Sequence, residues 1–350
     1  MDFALPPELE DLRAEAAEVG LAASKRAEVP EDTWITGHDR EFAAELGSRG
    51  WLGMTWPIEH GGGGRSALER FVVFEALIGT GAPIASWFAD RQMGPSLLAY
   101  GSDEQRAQWL PGIIAGTSMW CIGMSEPDAG SNVAGIRTRA ERDGGEWVVN
   151  GQKIWTSGAA SADWCYLICR TDPDARPHEG LSEFVLDMGS PGVSVKPILD
   201  MTGSRHFCEV FFEDVRVPAA NLVGQLNGSF RQVMRQMEHE RGGIDRLLSN
   251  RRLYDDVRPR ADTSDARVRQ EIAAIESGYR IGRILVTREV LRQAPAGFSA
   301  ATKCFCTEHE IRVAEFVGSV LVPTHAWGER FTTQPCTITS VGSGPPLPMI

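Results

Sequence analysis

Trp155-Thr156-Ser157 sets an aromatic face and two hydroxyls within three residues, at the end of a strand-like apolar run. A triplet of this kind can wall one side of a flat ring and donate hydrogen bonds to its polar edge. It also has an ordinary reading, because a tryptophan in a β region usually packs in the core and Ser157-Gly158 makes a turn. Farther along, Met237-Glu238-His239-Glu240-Arg241 carries two carboxylates. On a helix they point about 200° apart and cannot serve one direction, so a base at this place would be one or the other, or both are solvated. Arg231, Arg235, Arg246, Arg251 and Arg252 make the same stretch basic, which suits an anionic ligand or simply a charged helix face. Neither His206 nor His239 sits in a motif that asks for an acid or base, and both are read as structural. Cys304-Phe305-Cys306 lacks the two-residue ligand turn and the second pair of a zinc site, and is read as two helix thiols. Gly61 to Gly64 has no Lys-Ser/Thr after it and is read as a turn, not a phosphate loop.

These residues need three kinds of scaffold. The chain has 350 residues, 42% hydrophobic and 23% charged, which fits two or three folded domains. Leu9, Leu12, Ala16, Val19 and Ala23 form one helical stripe, and the punctuation predicts further helices at Asp39–Gly50, Ala67–Gly79, Ile84–Tyr100 and Asp103–Ala115. From Met119 to about Leu222 the texture changes to short β-branched and aromatic runs, as in Trp147-Val148-Val149, Tyr166-Leu167-Ile168 and Phe184-Val185-Leu186. Helical periodicity returns after Gly228, with stripes at Val268, Ile272, Ile275, Tyr279 and Val286 and at Val313, Phe316, Val317, Val320 and Leu321. The expected fold is therefore α+β. Its parts are an N-terminal helical domain (1–118), a central antiparallel β domain (119–225) and a C-terminal helical domain with an irregular tail (226–350).

Lys and Arg total 35 against 47 Asp and Glu, a net charge of −12, which argues against nucleic acid or an anionic membrane as partner. The acidic start does not read as a signal peptide, and no apolar run is long enough to span a bilayer. Seven cysteines in so long a chain fit free thiols, so the expected location is the cytoplasm.

Three motifs make a resemblance specific: Met124-Ser125-Glu126-Pro127-Asp128-Ala129-Gly130-Ser131-Asn132, Val149-Asn150-Gly151-Gln152-Lys153-Ile154-Trp155-Thr156-Ser157-Gly158, and Val210-Phe211-Phe212-Glu213-Asp214-Val215-Arg216-Val217-Pro218. In order and spacing the sequence resembles the acyl-CoA dehydrogenase family over about residues 1–322. Trp51-Leu52-Gly53 and the stretch Tyr100 to Pro111 fit the same pattern. The resemblance implies an N-terminal helical, central β and C-terminal four-helix-bundle architecture, FAD as cofactor, an acyl-CoA substrate and an electron-transfer flavoprotein or similar acceptor. It implies that Trp155 and Ser157 lie beside the flavin ring, that Met124 and Ser125 contact it, and that Ser131 touches the cofactor or the pantetheine. Glu240 becomes the base, since the alternative late-loop position holds Val341, and Arg241 lies near the CoA arm.

The sequence also departs from the pattern. The Arg-x-x-Phe-Gly and Gln-x-x-Gly-Gly segments by which family members contact a neighbour's flavin are absent, and the usual ending is replaced by Gly342-Ser343-Gly344-Pro345. The expectation is a subunit of a hetero-oligomer (α2β2) with a related chain, acting on a bulky or steroid-derived acyl-CoA. A non-catalytic structural subunit and a flavin oxidase or monooxygenase on the same scaffold are the alternatives.

Overall fold

The computed structural model describes residues 5–26, 32–240 and 243–321, apart from the side chains of 235–240. In the N-terminal part, α1 (Pro7–Ser24), α2 (Thr33–Thr36), α3 (Arg40–Ser48) and α4 (Ala67–Gly79) pack around one core. The predicted stripe on α1 is its buried face: Leu9, Ala16 and Ala23 are inside, with Leu12 and Val19 packed beside them. Between α3 and α4 the N–H groups of Gly62, Gly63 and Gly64 are bonded to the carbonyls of Pro57, Gly53 and Trp56. The glycine segment thus closes on itself as a turn, with those donors already used.

The stretch Ile84–Tyr100, expected as one helix, is instead a π-helical turn at Ala89–Met93 followed by α5 (Gly94–Tyr100). Pro95 is the cause. It has no N–H to give the carbonyl of Arg91 and its ring crowds that carbonyl, so the turn widens and Gly94 N–H bonds back to Ala89. Gly94 is required here, because a Cβ would fall 2.0 Å from the Trp56 ring. Helix α6 (Asp103–Ile114) starts at a reciprocal capping box. The Ser102 hydroxyl accepts from Gln105 N–H (3.2 Å), and the Gln105 side-chain Oε1 accepts from Ser102 N–H (3.1 Å).

The central sheet comprises β1 (Trp120–Gly123), β2 (Arg139–Asp143), β3 (Glu146–Ser157), β4 (Trp164–Arg170), β5 (Leu181–Asp187), β6 (Val193–Pro197), β7 (Phe207–Pro218) and β8 (Leu222–Val223). Its order is β6-β7-β3-β2-β4-β5-β8, with β1 also on β4. Pairing is antiparallel except at β4, which β1 and β2 meet in parallel. Long connections separate these pairs in the chain, which is what parallel pairing requires.

The C-terminal part contains α7 (Ser229–Glu240), α8 (Ile244–Leu248), α9 (Arg251–Val257), α10 (Ala266–Val290) and α11 (Phe298–Leu321). Gly243, at φ +76°, separates α7 from α8. The predicted stripes bury Ile275, Tyr279 and Val286 on α10 and Val313, Phe316 and Val317 on α11, in the core that also holds α1 and α4. Cys304 is exposed and Cys306 buried on α11, and no metal-binding cluster occurs among the described residues. The Gly/Pro-rich tail and Val341 lie outside the described residues.

Candidate active site

The strand pair β3·β7 places the aromatic–hydroxyl triplet. Lys153 pairs with Val210 and Thr156 with Cys208, so Ile154 and Trp155 together face Glu209 alone. This β-bulge puts Trp155 at φ +59°, a conformation unusual for a bulky side chain, and lifts the indole out of the sheet. The residue is 55% exposed, and its ring meets Phe207 edge-on, with centroids 5.7 Å apart. Next to it Thr156 is buried, and among the described residues its hydroxyl has no hydrogen-bond partner. Ser157 ends the strand half-buried.

Beneath the bulge lies a polar node. Lys153 is fully buried, and its ammonium donates to the Glu126 carboxylate (2.9 Å) and to the Met124 carbonyl (3.0 Å). Glu126 also accepts the backbone N–H groups of Arg137 (2.7 Å) and Thr138 (2.8 Å). Burial by itself would raise the Glu126 carboxyl, but Lys153 and these hydrogen bonds outweigh it and hold its pKa low. Burial lowers the pKa of Lys153, with Glu126 opposing. Ile154 N–H bonds to the Ser125 carbonyl at 2.9 Å. Two motifs far apart in sequence are thus stapled together, setting Met124 and Ser125 alongside the strand that ends in Trp155 and Ser157. Ser131 is on the exposed surface of the same loop.

The node was missed in sequence although a signal was present. Trp147, Val149 and Lys153 fall on the same side of an alternating strand, so a lysine stands at a core position and demands a buried partner.

On the far side of the sheet the start of α7 is anchored by Glu183 of β5. This fully buried carboxylate accepts from the Tyr166 hydroxyl (2.7 Å), Gln232 Nε2 (2.5 Å) and the Ser229 hydroxyl (3.2 Å). Burial raises its pKa to about 7 against those three donors. Glu240 is the last residue of α7; its side chain and those of Glu238 and His239 lie outside the described residues, as does Arg241. The basic stretch proves discontinuous. Arg251 pairs with Asp255 (2.8 Å), Arg252 with Asp256 (2.9 Å), and Arg246 lies over the Trp34 ring. His206 is a half-buried histidine bonded to the Ser204 hydroxyl at 3.0 Å.

The domain descriptions "Acyl-CoA dehydrogenase, N-terminal domain" and "Acyl-CoA dehydrogenase, middle domain" match residues 6–117 and 121–215. The acyl-CoA dehydrogenase FadE29 of Mycobacterium tuberculosis is 33% identical over 337 residues, covering 91% of this chain and 85% of that protein. This chain belongs to the acyl-CoA dehydrogenase family. The acyl-CoA dehydrogenase IpdE1 of the same organism is 37% identical over 253 residues, 70% of this chain, and the match spans 65% of that relative's length. A solved structure described as the Tcur3481-Tcur3483 steroid ACAD superposes with a TM-score of 0.84 at 33% identity, over 97% of this chain and 90% of that one. In this acyl-CoA dehydrogenase chain, the first two family motifs quoted from the sequence are the segments that the Lys153 node ties together, and the third lies on β7, paired with β3.

Proposed function

We propose that this chain is the catalytic, FAD-dependent subunit of a hetero-oligomer that removes hydrogen from the α and β carbons of a bulky, steroid-like acyl-CoA thioester. The observation that carries this reading is the bulge at Trp155: a strained, exposed indole two residues before the half-buried Ser157 hydroxyl offers a flat apolar wall and a polar group to a ring. Trp155 and Ser157, with Met124 and Ser125 held alongside by Lys153, would hold the flavin, and Ser131 would meet the cofactor or the pantetheine. The flavin, when bound, supplies the acceptor for the hydride leaving the substrate's β carbon. By the family resemblance, Glu240 would take the α-proton and Arg241 would serve the CoA arm.

A related chain would complete the site, because the two segments that contact a neighbour's flavin are absent here. The solved steroid ACAD, whose description pairs two designations, supports that arrangement. Electrons would pass on to an electron-transfer flavoprotein or similar acceptor.

The test is anaerobic bleaching of the flavin by a bulky acyl-CoA in the protein as purified with its partner. Glu240→Gln should slow bleaching by ~10²–10⁴-fold, the usual loss when a general base is removed. Glu238→Gln, two residues earlier on α7, should bleach at the native rate. Equal rates in all three proteins would take Glu240 out of the reaction.

A further inference from the structure

The π-helical turn Ala89–Met93 packs against both β1, which leads into Met124 and Ser125, and α7, which ends in Glu240. It therefore touches both of the elements that carry candidate site residues. The widened turn carries Arg91, which is 8% exposed and sandwiched between the rings of Trp34 (5.2 Å) and Trp87 (5.0 Å). Its guanidinium faces Asp245 of α8, 3% exposed, at 3.0 Å.

The pair is incompletely satisfied. Among the described residues Arg91 Nε and Asp245 Oδ1 have no hydrogen-bond partner, nor do Trp87 Nε1 and the Ser86 hydroxyl close by in the chain. Neighbouring Asp90 shows the contrast: its carboxylate takes Gly53 N–H at 2.7 Å and Arg70 at 2.6 Å. Buried polar atoms left without partners are costly, more so when charged, and native folds rarely concentrate them without a ligand or water to fill the gap. Charge narrows what the ligand group can be. Arg91 and Asp245 already neutralise each other, and Arg246 over Trp34 is opposed by Glu310. A carboxylate would bury an uncompensated negative charge.

Building on the dehydrogenase reading, we propose that Arg91, held by Asp245, recognises a neutral oxygen, a ketone or hydroxyl, on the ring body of the acyl group. Arg91 Nε–H donates to that oxygen, on the edge of the guanidinium turned away from Asp245. The substrate class is thereby narrowed to ring-oxygenated acyl-CoA thioesters.

Calorimetric titration of the protein as purified with its partner tests this, using decalin-2-ylacetyl-CoA and the same thioester bearing a ketone or a hydroxyl on the far ring. One oxygenated form should bind ~10–100-fold tighter than the parent, the range for a hydrogen bond to a charged donor. The paired variant Arg91→Met/Asp245→Leu removes both charges together and should bring that ratio to near one. Arg91→Lys, which keeps the charge and lacks Nε–H, should also reduce it. Equal binding of all three thioesters by the native protein, binding of none, or an unchanged ratio in the variants overturns the proposal. Flavin bleaching is read separately: discrimination in binding without bleaching counts against the dehydrogenase reading alone.

Discussion

Among the described residues two ion pairs have both partners buried, one beneath the Trp155 bulge and one beside the π turn, and their surroundings differ. Lys153–Glu126 is closed in that Nζ, Oε1 and Oε2 each have a partner within the protein: the pair itself, two backbone N–H groups and one carbonyl. Arg91–Asp245 is open, with Nε and Oδ1 unmatched. Both lie between elements distant in sequence, so position alone does not separate them. Hydrogen-bond completeness does. A closed buried pair fixes one backbone arrangement, whereas an open one keeps polar capacity in reserve for something the chain does not supply.

The difference is open to attack by mutation. Lys153→Met leaves Glu126 buried without its cation and should destabilise the chain by about 3–5 kcal/mol in urea titration. A loss under 1 kcal/mol would mean that the node does not hold the loop. The paired Arg91→Met/Asp245→Leu variant should be neutral or more stable, by as much as ~4 kcal/mol, since no stranded charge remains and few hydrogen bonds are lost. A large loss of stability there would make the open pair as structural as the closed one.

Glu183 offers a third buried carboxyl, with hydroxyl and amide donors in place of a cation. Its pKa of about 7 in the folded chain, against an ordinary 4.5, means that the folded state holds a proton the unfolded state has released between those values. The associated stability is full below about 4.5 and is lost as pH rises to about 7. The span is at most roughly 3 kcal/mol. Glu183→Gln should flatten that part of the stability–pH profile, and an unchanged slope would refute the assignment. The smallest effect is expected at the bulge. Trp155→Gly relieves a left-handed conformation worth ~1 kcal/mol and gives up an aromatic contact of similar size, so the melting temperature should barely move while retained flavin falls. Flavin retained at the native level would sever Trp155 from the cofactor.

Much of the scaffold could be read directly. The α1 stripe, the Ser102 cap and the switch to strands near Met119 follow from local periodicity and turn chemistry, which act over a few residues. The helix expected at Ile84–Tyr100 widens into a π turn at Ala89–Met93 upstream of Pro95, whose missing N–H is a local fact with a consequence one turn away. Lys153 was half legible: alternation places it inward, but Glu126 as its partner depends on how β1 leads into its loop beside β3. Arg91 and Asp245 carried no signal, because an arginine and an aspartate far apart in a chain say nothing until α8 and the π turn meet.

The sequence by itself determined the order of helical and strand regions, the family motifs and which side chains are chemically able to meet a ring or take a proton. Those properties reside in residue type and short spacing. Tertiary structure alone decided that Trp155 stands exposed on a bulge, that Lys153 is the staple under it, and that one buried ion pair is closed and the other open. Each of these depends on which strand or helix lies opposite, and burial, register and hydrogen-bond completeness exist only once distant segments have been brought into contact.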